Sequence, residues 1–214
     1  MTITKEQSDR LYLMLRDLDV LFRKNNIVYW ITGGTLLGAI RHRGLIPWDD
    51  DADICILKSS LPTLLSIQKI LEKKYNFIFD NDKICSLKKD CTILLTGKKE
   101  NDLGCDIFIM EPDKDKITYS DIGWKKAENG GKKCSFLTTH LFPLTRVLFG
   151  NFYLYAPYNS IMHLNKCYGN DWNSHSMLLF NHRTGKWHSA KKHEMKQHEY
   201  FCLTPPCNLE ERKF

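Results

Sequence analysis

The chain has 214 residues, 43% of them apolar and 12% aromatic, enough to bury a core and too many for a disordered chain. Thirty-one basic against 25 acidic side chains leave a formal charge of +6, which suits anionic partners such as nucleotides, phosphoglycans or nucleic acid without choosing among them. No run approaches the roughly 18 apolar residues of a membrane span, and the polar start lacks an apolar signal core, so the reading is a cytoplasmic protein with no membrane span.

This length suits one domain, or a core with a small appendage. The eight cysteines are scattered through expected strands without paired C-x-x-C spacing. Reduced core thiols fit that pattern better than a disulfide frame or a zinc site.

In chain order, Thr4-Lys5-Glu6-Gln7 reads as a capping box. Leu11, Met14, Leu15, Leu18, Leu21 and Phe22 then recur at helical spacing, predicting an amphipathic helix over 5–25. Ile27 to Thr32 is short, β-branched and aromatic, a first strand. Gly33 and Gly34 end it and open a helix through about Ile40. Glycine lets a backbone approach a ligand, and a helix start offers unpaired N–H groups to phosphate. Neither G-x-x-x-x-G-K-[ST] nor G-x-G-x-x-G is present. Arg41, His42 and Arg43 follow, placed either to reach a diphosphate or to cap the helix C-terminus.

Asp49, Asp50, Asp51 and Asp53 then crowd in just before the apolar run Ile54 to Leu57. Like charges this close need a cation or raised pKa values. A strand entering at Asp51 points Asp51 and Asp53 to one face, a hard-oxygen site suited to Mg²⁺ or Mn²⁺. The plain alternative is an acidic surface turn. Ser60 to Lys74 reads as a helix with Pro62 in its first turn. Residues 75–79, 83–87 and 91–96 read as a three-stranded meander. Leu103 to Met110 is a further strand with one embedded carboxylate, Asp106, which needs a reason to sit there. Residues 111–134, rich in Lys, Asp, Gly and Asn, predict a long mobile excursion. The tail from 173 to 214 is basic and His-rich. His188, His193 and His198 are spaced five apart, which rotates around a helix and argues against a metal cluster.

The string GGTLLGAIRHRGLIPWDDDADI resembles the LicD family, which includes the bacterial phosphocholine transferases, fukutin and fukutin-related protein. In that family a glycine pair, an Arg-His-x-Gly turn and a Pro-Trp-Asp-x-Asp-x-Asp string occur in this order. Asp106-Ile107-Phe108 resembles its Asp-hydrophobic-Phe strand. HLFPL at 140–144 and Tyr168-Gly169-x-x-Trp172 resemble its later segments. The resemblance covers roughly residues 27–172. It implies an α+β, nucleotidyltransferase-like mixed sheet flanked by helices over 1–172, followed by an irregular C-terminal extension over 173–214.

It further implies a metal-dependent phosphotransferase. Asp51, Asp53 and Asp106 would bind Mg²⁺ (or Mn²⁺), with Asp106 as ligand or as base. Gly33, Gly34 and Thr35 would cradle phosphate oxygens, Arg41 would neutralise developing charge, and His42 would join them in binding substrate. Asp49 would orient metal water or acceptor, and Asp50 would be left solvated. Tyr168 and Trp172 would stack on a base, close the pocket or pack in the core. The partners implied are a CDP-linked alcohol donor (choline or ribitol) and a sugar or glycan acceptor, with nucleic acid unlikely on this reading. The rival readings are transfer of NMP from an NTP, or a non-catalytic nucleic-acid or glycan-binding module.

Overall fold

The structure, a computed structural model, describes residues 3–78, 92–97, 103–120, 135–176, 180–181, 186–187, 192–201 and 203–205. Helix α1 (Lys5–Lys24) starts at the expected capping box: the Gln7 N–H donates to Thr4 Oγ1 at 3.2 Å, and Gln7 Oε1 accepts the Thr4 N–H at 2.9 Å. Its stripe of Leu11, Leu15, Leu18 and Phe22 is fully buried against the sheet.

Two acids on the same helix also point inward. Asp19 accepts hydrogen bonds from the Tyr29 hydroxyl at 2.5 Å, from Arg23 at 3.0 Å and from both Nη atoms of Arg146. Asp17 accepts from Lys74 at 3.0 Å and from the Tyr75 hydroxyl at 2.8 Å. Buried carboxylates persist only when paired in this way. They fasten α1 to the sheet at fixed positions, which an apolar stripe alone would not do.

The main sheet comprises β1 (Tyr29–Ile31), β2 (Asp51–Leu57), β3 (Tyr75–Ile78), β4 (Thr92–Gly97), β5 (Gly104–Asp113), β6 (Lys116–Tyr119) and β7 (Ser135–Leu137), in the order β1-β2-β5-β4-β3. The first half of β5 pairs with β4; its second half pairs with β6, which in turn pairs with β7. All these pairings are antiparallel except that of β2 with β5. Alternation along the strands gives the sheet two unlike faces. Ala52, Ile54, Ile56, Cys105, Ile107 and Ile109 join α1 in the main core. Cys55, Phe108 and Met110 face the other way, into a smaller cluster with Trp30, Phe136 and Leu141. Asp51, Asp53 and Asp106 alternate onto that second face, at the end where both strands begin.

Helices α2 (Gly33–Arg41), α3 (Leu61–Ser66), α4 (Gln68–Leu71), α5 (Thr138–Leu141) and α6 (Ser160–Tyr168), with the hairpin β8 (Thr145–Phe149) and β9 (Phe152–Ala156), complete the α+β core. From His175 onward the described elements are two-residue pairings and one 3-10 turn, the irregular extension expected. Among the described residues no helix is long and apolar enough to cross a membrane. Cys55, Cys105 and Cys167 are free thiols.

Two expectations change. The helix over 60–74 is broken at Ile67, whose N–H turns back to Leu64 in a tighter bond, so α3 and α4 are separate pieces. The excursion over 111–134 is partly ordered: 111–119 extends β5 and turns back into β6, with Lys114 at φ +56 in the turn. Residues 121–134, and the strand expected at 83–87, lie outside the described residues.

Candidate active site

The chain leaves β1 through Thr32 and turns at Gly33, where φ is +52. A side chain is disfavoured there by backbone geometry, and also by space. A Cβ on Gly33 would fall inside the Asp53 carboxylate, and one on Gly34 inside that of Asp49. The glycine pair therefore lets the start of α2 sit directly on the acidic string. Gly34 N–H donates to Asp53 Oδ2 at 3.2 Å, and Thr35 Oγ1 accepts the Asp53 N–H at 2.8 Å. Two bonds thus lock the second acid of the Asp-x-Asp motif to the first turn of the helix.

The parallel register of β2 and β5 pairs Asp53 with Asp106 and Asp51 with Gly104. Carboxylate oxygens of Asp51, Asp53 and Asp106 lie within 4.8 Å of one another, as do those of Asp49, Asp50 and Asp51. Asp50, expected to be solvated, is instead half-buried in this second group. Burial, then repulsion from Asp51, Asp49 and Asp106, push the Asp53 pKa well up, against the pull of the Gly34 N–H. Three convergent carboxylates on rigid strands form the donor set that a hard divalent cation such as Mg²⁺ takes, so the residues present fit the metal.

Arg41, the last residue of α2, and His42, its C-cap, are engaged by the C-terminal segment. Arg41 Nη1 donates to the carbonyls of Trp172 at 2.7 Å and His175 at 3.0 Å, and its Nε donates to His42 Nε2 at 3.0 Å. His42 is buried and bonds through Nδ1 to the Phe201 carbonyl at 3.1 Å. Since Nε2 accepts from Arg41, Nδ1 carries the proton and the ring is neutral. Burial and the Arg41 charge lower its pKa to about 4. Both side chains are thus spent on holding the C-terminal segment against the end of α2. Burial also lowers the Arg41 pKa; Tyr200, Tyr168 and then Asp49 oppose the shift, so the guanidinium still lies in the field of the acids.

Trp172 is packed in the main core, its Nε1 donating to Asn165 Oδ1 at 2.7 Å. Core packing, among the roles expected for it, is the one observed. Tyr168 lies nearer the acids. Burial, followed by Cys167, Asp53, Asp49 and Asp51, holds its hydroxyl protonated.

One contact escaped the sequence entirely. Thr32, the N-cap of α2, makes no side-chain cap bond. Its hydroxyl instead lies 3.1 Å from Nε2 of His163 on α6, a residue 131 positions away. A single histidine in a short helix carries no sequence signal for such a role.

Residues 26–159 match the family model described as LicD/FKTN/FKRP, nucleotidyltransferase domain. An uncharacterised protein of Rickettsia typhi is 32% identical over 206 residues, covering 95% of this chain and 58% of that protein. The lipopolysaccharide cholinephosphotransferase LicD of Haemophilus influenzae is 32% identical over 110 residues, 46% of this chain and 42% of that one. The ribitol 5-phosphate transferase FKRP of Homo sapiens is 61% identical over 28 residues, 13% of this chain and 6% of that one. The chain thus spans less than two thirds of the length of each of these three relatives.

Proposed function

The chain belongs to the LicD/FKTN/FKRP nucleotidyltransferase-domain family, and on that premise we propose that it is a metal-dependent phosphotransferase. It moves a phosphoryl-alcohol group, phosphocholine or ribitol phosphate, from a CDP-linked donor to a sugar hydroxyl of a glycan. The observation that carries this reading is the placement of Asp51, Asp53 and Asp106 within 4.8 Å of one another beside the glycine-opened start of α2. The relatives' names, a cholinephosphotransferase and a ribitol 5-phosphate transferase, suggest the two alcohols.

On this reading the N–H groups of Gly33 and Thr35 receive phosphate oxygens of the donor at the positive end of the α2 dipole, while Gly34, whose N–H is taken by Asp53, keeps the cradle free of a side chain. Asp51, Asp53 and Asp106 would hold Mg²⁺ or Mn²⁺, which would supply neutralisation of the diphosphate charge. Asp53 is held in place for this by the Gly34 N–H and through its own N–H by Thr35. The acceptor oxygen forms a bond to the distal phosphorus, the bridging P–O bond breaks, and CMP departs. The acceptor's proton passes to a carboxylate of the cluster. Asp49 lies against Gly34 at the same site, and Tyr168 lies in the field of Asp53, Asp49 and Asp51. Little covalent help is needed, because phosphoryl transfer depends chiefly on in-line positioning and charge stabilisation.

Calorimetric titration of CDP-choline, CDP-ribitol, CTP and ATP, with and without Mg²⁺, tests the proposal. Mg²⁺-dependent binding of a CDP-alcohol in preference to CTP is expected, and the preferred compound names the donor. Preference for an NTP would shift the reading to nucleotidyl transfer.

A further inference from the structure

Helix α2 begins without the cap its sequence provides. Thr32 stands at the N-cap in extended conformation (φ -140, ψ -172), where a threonine hydroxyl ordinarily accepts the N–H of the second or third helical residue. Here the second, Gly34, gives its N–H to Asp53, so the third, Thr35, is the N–H a Thr32 cap would take. The Thr32 side chain does not take it. Its hydroxyl points to His163 Nε2.

The histidine is built to hold that direction. Its ring lies flat on Phe136 of β7, with centroids 3.8 Å apart and planes 6° from parallel. One turn further along α6, Lys166 reaches the Ser135 carbonyl and sits 5.6 Å from the centre of the same Phe136 ring. The ring is 3% exposed. Burial, then the Lys166 charge, hold it neutral, with a pKa of about 3. It is therefore a fixed hydrogen-bond partner and not a charge.

We propose that His163 is a positioning residue that holds the Thr32 hydroxyl away from the start of α2, leaving the Thr35 N–H for a phosphate oxygen of the substrate. The inference rests on the reading of α2 as the phosphate cradle of a nucleotide-diphosphate donor. A self-capped helix would be sturdier and a poorer anion site, because each ligand would first have to displace the cap. A helix cap is worth about 1 kcal/mol, so competition from it weakens anion binding about fivefold.

The test compares the intact protein with His163→Phe, Thr32→Val and the double variant. Phenylalanine keeps the stack on Phe136 and removes the bond to Thr32; valine has no oxygen with which to cap. Two quantities are read: hydrogen exchange of the Thr35 amide by NMR without ligand, and the Kd for CDP in the presence of Mg²⁺. In His163→Phe the Thr35 amide is expected to exchange about fivefold more slowly and the Kd to rise by about the same factor. Adding Thr32→Val is expected to return both towards the unaltered values. His163→Gln, which can place an amide near the Nε2 position, is expected to behave as the parent and serves if His163→Phe folds poorly.

Unchanged Thr35 exchange in His163→Phe, or a double variant as weak as the single, would overturn the proposal, since a merely structural histidine is not rescued by losing a second hydroxyl. If the parent binds no CDP, the failure belongs to the substrate reading. The exchange measurement then decides the positioning role alone: slowed exchange supports it, and unchanged exchange overturns it.

Discussion

Replacing Asp53 by asparagine is expected to make the metal-free protein more stable while removing its response to magnesium. The substitution keeps the shape of the side chain and an oxygen for the Gly34 N–H, and it leaves the backbone bond to Thr35 Oγ1 intact. What it removes is one negative charge among carboxylates whose oxygens lie within 4.8 Å of one another. At an effective dielectric constant near 20, two full charges at that separation repel by about 3 kcal/mol. Solvent and shared protons reduce the net relief to roughly 1–2 kcal/mol. For a chain of this size that corresponds to a rise in Tm of about 2–8 °C. Thermal melts in EDTA and in excess Mg²⁺ provide the assay. The unaltered protein should melt lower in EDTA and gain stability with Mg²⁺, as any ligand that binds only the folded state confers. Asp53→Asn should melt higher in EDTA and respond little to the cation. A variant that melts below the parent in EDTA, or that keeps the full Mg²⁺ response, would refute both the repulsion and the ligand assignment.

Acid should weaken the fold through its neutral buried histidines. His42, with a pKa of about 4, and His163, at about 3, bind protons more readily when unfolded, near 6.5. Their contribution is complete above pH 6.5 and is lost as the pH falls towards the folded values, by about 2 kcal/mol for each at pH 5. A urea midpoint unchanged between pH 7 and pH 5 would contradict this. Asp19→Ala strips the acceptor from Arg146, Arg23 and the Tyr29 hydroxyl, and loss of one partner from such a buried network costs about 3–5 kcal/mol. A shift in denaturant midpoint worth less than 1 kcal/mol at constant slope would show the network to be idle. Arg41→Ala removes two charge-assisted bonds to the carbonyls of Trp172 and His175. Limited proteolysis beyond Trp172 should then run more than about tenfold faster, and equal rates would show that the segment is held by other contacts.

Much of the core was legible because its signals are local. The Thr4–Gln7 box and the Leu11–Phe22 stripe marked α1 to within a residue. The glycine pair and the Asp-x-Asp motif announced a turn held tight against acids, and the collision of any Cβ with Asp49 or Asp53 supplies the physical reason for both glycines. Asp106 stood out as a charge inside an apolar strand, and its register with Asp53 explains it. The unread parts depend on distant partners. Nothing local distinguishes an Arg41 or His42 aimed at phosphate from one spent on the carbonyls of residues 172, 175 and 201. The β5–β6 turn has Lys114 at positive φ in place of a glycine or asparagine, so it lacks the Asn-Gly or Asp-Gly pair that marks a tight hairpin. The break at Ile67 lies within an unbroken apolar periodicity, which reports a buried face and not the continuity of a helix.

The parallel pairing of β2 with β5 also sets when the acidic site can exist. It joins segments about fifty residues apart in the chain, so a long loop must close before Asp106 reaches Asp53. Closing such a loop is entropically expensive and tends to come late in folding. A cation that needs all three carboxylates can then engage only a chain whose central strands have already zipped. Magnesium should accordingly act on the clock of unfolding, lengthening the life of the native state while leaving the refolding rate nearly unchanged. The cation would serve as a latch on the finished sheet and take no part in its assembly.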